Sequence, residues 1–107
     1  MKPVIVLELA QREIDAVASY YEGQRHGLGA LFAERVAEAL ERIERASEGY
    51  QTVYRDLRRV NLRQFRDHAL WFRTMPDLSI VVACLSSRRN PALAAERAAR
   101  VINFPEP

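Results

Sequence analysis

A single change of hydrophobic period, near Thr52, decides most of what this chain can fold into. Before it, apolar residues recur at helical spacing; after it, they alternate as they do in strands. Ile14, Val17, Ala18 and Tyr21 fall at i, i+3, i+4 and i+7, one face of a helix from about Gln11 to Gln24. Gly27-Leu28-Gly29 interrupts this stripe, and Phe32, Val36, Leu40 and Ile43 form a second one. Glu38 and Arg42 have the i, i+4 spacing of a supporting ion pair, and Gly49 is placed to stop the helix. Two amphipathic helices joined by about four residues pack antiparallel, so both stripes can cover one sheet face.

The remaining segments supply that sheet. Val4 to Leu9, rich in β-branched residues, reads as a first strand. Val60 and Leu62 alternate with Arg59, Asn61 and Arg63, a half-buried strand with a basic outer row. Arg66-Asp67-His68 reads as a turn, Ala69 to Met75 as the next strand, and Pro76-Asp77 as a tight turn. Within Ala69 to Met75, Leu70, Phe72 and Thr74 share one face, and Ala69, Trp71 and Arg73 the other. One of the two aromatics is then core while the other is open to stack a base; the pattern leaves open which. Leu78 to Leu85 is apolar on both faces apart from Ser79, which predicts a central strand with the helices on one side. Asn90-Pro91 is a cap followed by proline at the first helical position, opening a last helix from Pro91 to about Val101. Arg97 and Arg100 lie towards its negative end. The order β-α-α-β-β-β-α defines a single α+β domain, residues 1–107: a helical hairpin packed on an antiparallel sheet.

Composition sets the function classes. The longest apolar run, Ile80 to Leu85, suits a buried strand and is far too short to span a membrane. Glu8 arrives too early for a signal peptide, so a cytoplasmic address is expected. Cys84, the only cysteine, lies inside the apolar run and reads as a small core residue. Asp56 and Asp67 stand isolated among arginines, so neither metal nor cofactor is expected. The net charge of +2 hides an asymmetry: residues 1–54 carry six basic and nine acidic side chains, residues 55–107 ten arginines and five acids. Arg55, Arg58, Arg59, Arg63, Arg66 and Arg73 crowd one stretch, which favours an acidic protein or a nucleic acid as partner.

With these landmarks the chain resembles the RelE/ParE toxin superfamily, as a ParE-like member. The resemblance is carried by Ile14, Val17 and the pair Tyr20-Tyr21, then Gly27-Leu28-Gly29 and Phe32. It continues through Arg63-Gln64-Phe65, Trp71-Phe72-Arg73, and Ser87-Arg88-Arg89-Asn90-Pro91 with Arg97 following. Asn90 stands where the family commonly has aspartate, which keeps the capping chemistry.

The resemblance implies one of two activities. RelE-like members cut messenger RNA on the ribosome, which needs a base, a phosphate clamp and an acid. Of the family's Lys, Arg and Tyr set, the central arginine position falls on Ala69 and the late tyrosine position near Ala94. Arg88 survives, yet an arginine clamps phosphate without exchanging protons near neutral pH. For this nuclease alternative the candidate residues are Arg88, Arg63 and His68, and His68 is otherwise an exposed turn histidine. ParE-like members lack the set and inhibit DNA gyrase by binding, and this is the favoured reading. The resemblance also implies a cognate small acidic antitoxin whose C-terminal segment folds on the toxin, giving a hetero-oligomer. Arg59, Arg63, Arg66, Arg73, Arg88 and Arg89 are the candidates for antitoxin or target contacts. A third reading is a non-toxic interaction module of the same fold.

Overall fold

A computed structural model of the protein describes residues 1–102. Strand β1 (Val4–Val6) leads directly into helix α1 (Glu8–Gln24), and α2 (Leu28–Ala46) returns antiparallel to it before one 3-10 turn at Ser47–Gly49. Strands β2 (Thr52–Tyr54), β3 (Leu57–Leu62), β4 (Phe65–Thr74) and β5 (Ser79–Ser86) follow, then helix α3 (Ala92–Ile102). The sheet order is β1-β5-β4-β3-β2. Its four later strands are antiparallel, whereas β1 joins β5 in parallel, so the sheet is mixed. The α+β class and the hairpin-on-sheet arrangement hold.

The first strand is shorter than its β-rich composition implied. Leu7 N–H already bonds Val81 O, and Gln11 N–H bonds Leu7 O, so the chain passes from strand to helix within one residue. The helical stripe extends one turn back to Ala10, which is buried with Ile14 against the sheet, and Leu7-Glu8-Leu9, unlike Val4-Ile5-Val6, has no β-branched residue and is made of good helix formers.

The hairpin connection is three residues, Arg25 to Gly27, and only Gly27 of the two glycines takes the left-handed conformation, at φ 91°. Gly29 lies inside α2. There a Cβ would sit 2.5 Å from Ala18 O and 2.9 Å from Glu22 Cβ, so glycine is required by the approach of the two helices. Glu22 fixes the junction by accepting hydrogen bonds from Gly27 N–H and Gly29 N–H, which satisfies free donors at the start of α2. Those bonds hold its carboxyl below the usual carboxylate range. Glu38 does not pair with Arg42. It takes Arg35 at 2.6 Å and, more distantly, Arg63 at 3.4 Å.

The predicted turn at Arg66-Asp67-His68 is strand. The reversal comes earlier, at Arg63-Gln64, where Gln64 adopts φ 68° and Leu62 pairs with Phe65. Ten-residue β4 then runs through the centre of the sheet. Its alternation is as read: Leu70 and Phe72 face the hairpin, Ala69 and Trp71 face α3. Both aromatics are core, because helices cover both sides of the sheet rather than one. A strand pair apolar on both faces, such as β4 and β5, needs that double cover. At the start of α3, Asn90 Oδ1 accepts the Ala92 N–H at 2.9 Å, the expected cap, with Pro91 between them.

Candidate partner-binding surface

The face of the sheet under α3 is where the nuclease set would be expected. Ala69 of β4 and Ala94 of α3 are both fully buried there, in one apolar cluster with Trp71, Val82, Ala83 and Ala98. Small side chains let α3 lie directly on the strands. Neither position offers a proton donor.

The six candidate arginines do not form one row. Arg59 stacks on the Trp71 ring, its guanidinium carbon 5.4 Å from the ring centroid, and donates to Ser87 O at 3.0 Å. Ser87 also ties in β4, through its Oγ to Arg66 O at 2.8 Å and its N–H to Asp67 O at 2.8 Å. Arg88 and Arg89 follow next in the chain, both exposed, with Arg88 only at the edge of contact with Asp67 at 4.0 Å. Arg59 therefore reaches the β5–α3 turn that carries the exposed Arg88 and Arg89, whereas Arg66 meets Ser87 through its main-chain carbonyl. Asp67 is the acid interspersed among them. Arg63 lies apart in the β3–β4 turn, leaning on Glu38 of the hairpin. Arg73 is at the opposite end of β4, where it forms an ion pair with Asp56 that lacks the alignment of a hydrogen bond. Arg59, Arg88 and Arg89 concentrate positive charge at this turn, and an arginine does not exchange protons near neutral pH.

His68 belongs elsewhere. It sits within β4, half-buried and facing the hairpin, with Nε2 3.1 Å from the Tyr21 hydroxyl and its ring against Tyr21 and Phe32. Burial lowers its pKa, outweighing the opposing pull of Asp67, and burial likewise raises that of Tyr21. It is a packed core-edge histidine rather than an exposed turn residue. Arg88, Arg63 and His68 thus occupy three different settings. Beside Tyr21 a groove of about 480 Å³ opens, lined by Tyr21, Arg25, Leu28, Leu31, Gln64 and Phe65.

Two features had no signal in the sequence. Arg97 does not serve the dipole of α3; it reaches back to Glu13 of α1 in a two-pronged pair, at 2.8 and 2.9 Å. Both also close the open side of β5 beyond the end of β1. Glu13 accepts the Cys84 N–H at 3.0 Å, and Arg97 donates to Val82 O at 3.1 Å. The second is Arg42, left without an acceptor once Glu38 is taken.

No protein-family model matches the sequence, and no curated protein matches it either. The fold does have a solved counterpart. A chain of the "Chromosomal ParDE TA system from P. aeruginosa" superposes with a TM-score of 0.68 at 14% identity, over 80% of this chain and 96% of that one. This is a RelE/ParE-type fold. Among the described residues no helix is long and apolar enough to cross a membrane, and no cluster of His, Cys, Asp or Glu has the makings of a metal site.

Proposed function

We propose that this chain is the toxin of a toxin–antitoxin pair, ParE-like in acting by binding rather than by catalysis. The observation that carries this reading is the pairing of a RelE/ParE-type fold with Ala69 and Ala94 packed where catalysis would need reactive side chains. Inhibition by binding needs only a complementary surface, and the arginines around Ser87 supply one for an acidic target or an acidic antitoxin. DNA gyrase is the proposed target and a small acidic protein, folding as it binds, the proposed antitoxin; both come by resemblance to the family.

The test is induction of the chain in a bacterial host, with and without the product of a neighbouring short gene. The reading expects arrested growth, impaired DNA supercoiling by gyrase in vitro, and rescue by an acidic neighbour that copurifies. Cleavage of messenger RNA during translation, abolished by Arg88→Ala, would replace it with the ribosome-dependent nuclease. Unchanged growth, supercoiling and RNA would leave an interaction module.

A further inference from the structure

The seam between α2 and β3 holds a groove of about 430 Å³. Arg42 of α2 forms one wall with Tyr50 and Val53, and Val60 and Asn61 of β3 form the other. Tyr50 is held in place, because Arg58 donates to the carbonyls of Glu48 and Tyr50 and the Phe72 ring packs edge-on against it. Gln51 and Asn61 are exposed and bring side-chain amides to the groove. Among the described residues no carboxylate lines it. Glu48, next to its Gly49–Gln51 rim, is turned instead to Lys2 at 2.8 Å.

Arg42 is the unusual member of this groove. Its Nε and Nη2 are covered and have no hydrogen-bond partner. Its natural acceptor one turn back, Glu38, is committed to Arg35 and Arg63, and Glu41 is committed to Arg45. The two free nitrogens share one edge of the guanidinium, the edge that grips two oxygens of an anion side by side. A guanidinium shielded from water without an acceptor is costly, and an oxoanion in the groove removes that cost.

The donors select the anion. The Arg42 fork alone occupies both oxygens of a carboxylate, and the amides of Gln51 and Asn61 are then left over for the further oxygens of a tetrahedral phosphate. The cations do not form the row that a nucleic-acid backbone needs. The Arg59 guanidinium is turned onto Trp71 and Ser87 O, and Arg58 is spent on its two carbonyls. We propose that this groove binds a single phosphate group, free or at the end of a small phosphomonoester. The Arg42 fork takes two of its oxygens, and Gln51 and Asn61 take the others. A small rotation of the flexible Arg42 side chain turns the fork from its covered position into the groove. Bound phosphate bridges α2 to β3, and the site stands whether or not the chain is a toxin.

The test titrates the full ¹⁵N-labelled chain with inorganic phosphate, ribose 5-phosphate, acetate and a short oligothymidine lacking a terminal phosphate, with ionic strength matched by sodium chloride. Saturable binding of inorganic phosphate or ribose 5-phosphate is expected with a Kd of about 10⁻³ M, and the tighter of the two identifies the source. Acetate should bind about tenfold more weakly. Amide shifts should centre on Gly49 to Gln51, Val60 and Asn61 and include the Arg42 Nε–H. Arg42→Gln should weaken phosphate about tenfold without lowering Tm, because neither covered nitrogen has a partner to lose. Arg42→Lys keeps the charge but loses the fork, and should remain weaker than the parent chain. Arg45→Gln, which breaks only the exposed pair with Glu41, should leave binding unchanged. Absence of saturable shifts at millimolar phosphate beyond the chloride control, or shifts centred on Arg88 and Arg89, would overturn the proposal. Acetate binding as tightly as phosphate, or the oligothymidine occupying this groove more tightly than either phosphate, would overturn it as well.

Discussion

Replacing Arg97 by alanine tests whether the tie between α1 and α3 holds the molecule together. The side chain is 15% exposed and its partner Glu13 23%, so the pair is largely out of water. Arg97 makes three hydrogen bonds, two to the Glu13 carboxylate and one to Val82 O. The carboxylate, in turn, holds the Arg97 proton more firmly than usual. Removing one partner of a fully buried pair costs about 3–5 kcal/mol. The residual exposure of both groups lowers the expectation for Arg97→Ala to about 2–3 kcal/mol. Glu13→Ala should cost about 1 kcal/mol more, because the Cys84 N–H then loses its acceptor on the open side of β5. Arg97→Lys keeps the charge but loses the fork, and should recover less than half of the loss. Urea unfolding of both single variants and the double variant gives the pair's coupling, expected at about 1.5–2 kcal/mol with unchanged m. In thermal melts Arg97→Ala should fall by roughly 10 °C. A coupling under about 0.5 kcal/mol, the range of exposed pairs, would refute the reasoning and mark this contact as surface decoration.

Three further outcomes follow from other sites. Gly29→Ala should destabilise the chain by about 1–3 kcal/mol, since its Cβ meets the Ala18 carbonyl rather than a movable side chain; chemical unfolding measures it. His68 has its folded-state pKa lowered by burial, so the unfolded chain takes up the proton first as pH falls. Its contribution is therefore present above pH ~6.5, the ordinary histidine value, and declines as pH falls from there towards the lowered folded-state pKa. His68→Gln should flatten that part of a pH–stability profile; an unchanged slope would assign it to other groups. Cys84 is buried, with its thiol pushed up to about 12 first by desolvation and then by Glu13, so it should resist alkylation in the native state and react freely in urea.

The helical hairpin was legible because its information is local. Ile14, Val17 and Tyr21, then Phe32, Val36 and Ile43, repeat at the period that any helix imposes on a buried face. The Asn90-Pro91 start of α3 was legible for the same reason, the cap lying within two residues of the donor it satisfies. Strand ends were less legible. Arg66-Asp67-His68 has turn-like composition, but Ser87 and Tyr21 hold its backbone and side chains in an extended strand, and the reversal falls on Gln64.

What the sequence by itself determined is where the period changes, which residues are apolar on each alternation, and that basic charge collects after residue 55. Tertiary structure alone decided which charges meet. Glu38 had Arg42 at helical spacing and took Arg35 and Arg63 instead; Glu13 found Arg97 across 84 residues; Arg59 reached the Ser87 carbonyl 28 residues on. Burial of an apolar stripe is nearly independent of which partner covers it, so a pattern suffices to foresee it. Hydrogen bonds and ion pairs are short and directional, so their partners are set only once strands and helices have been brought to within a few ångströms.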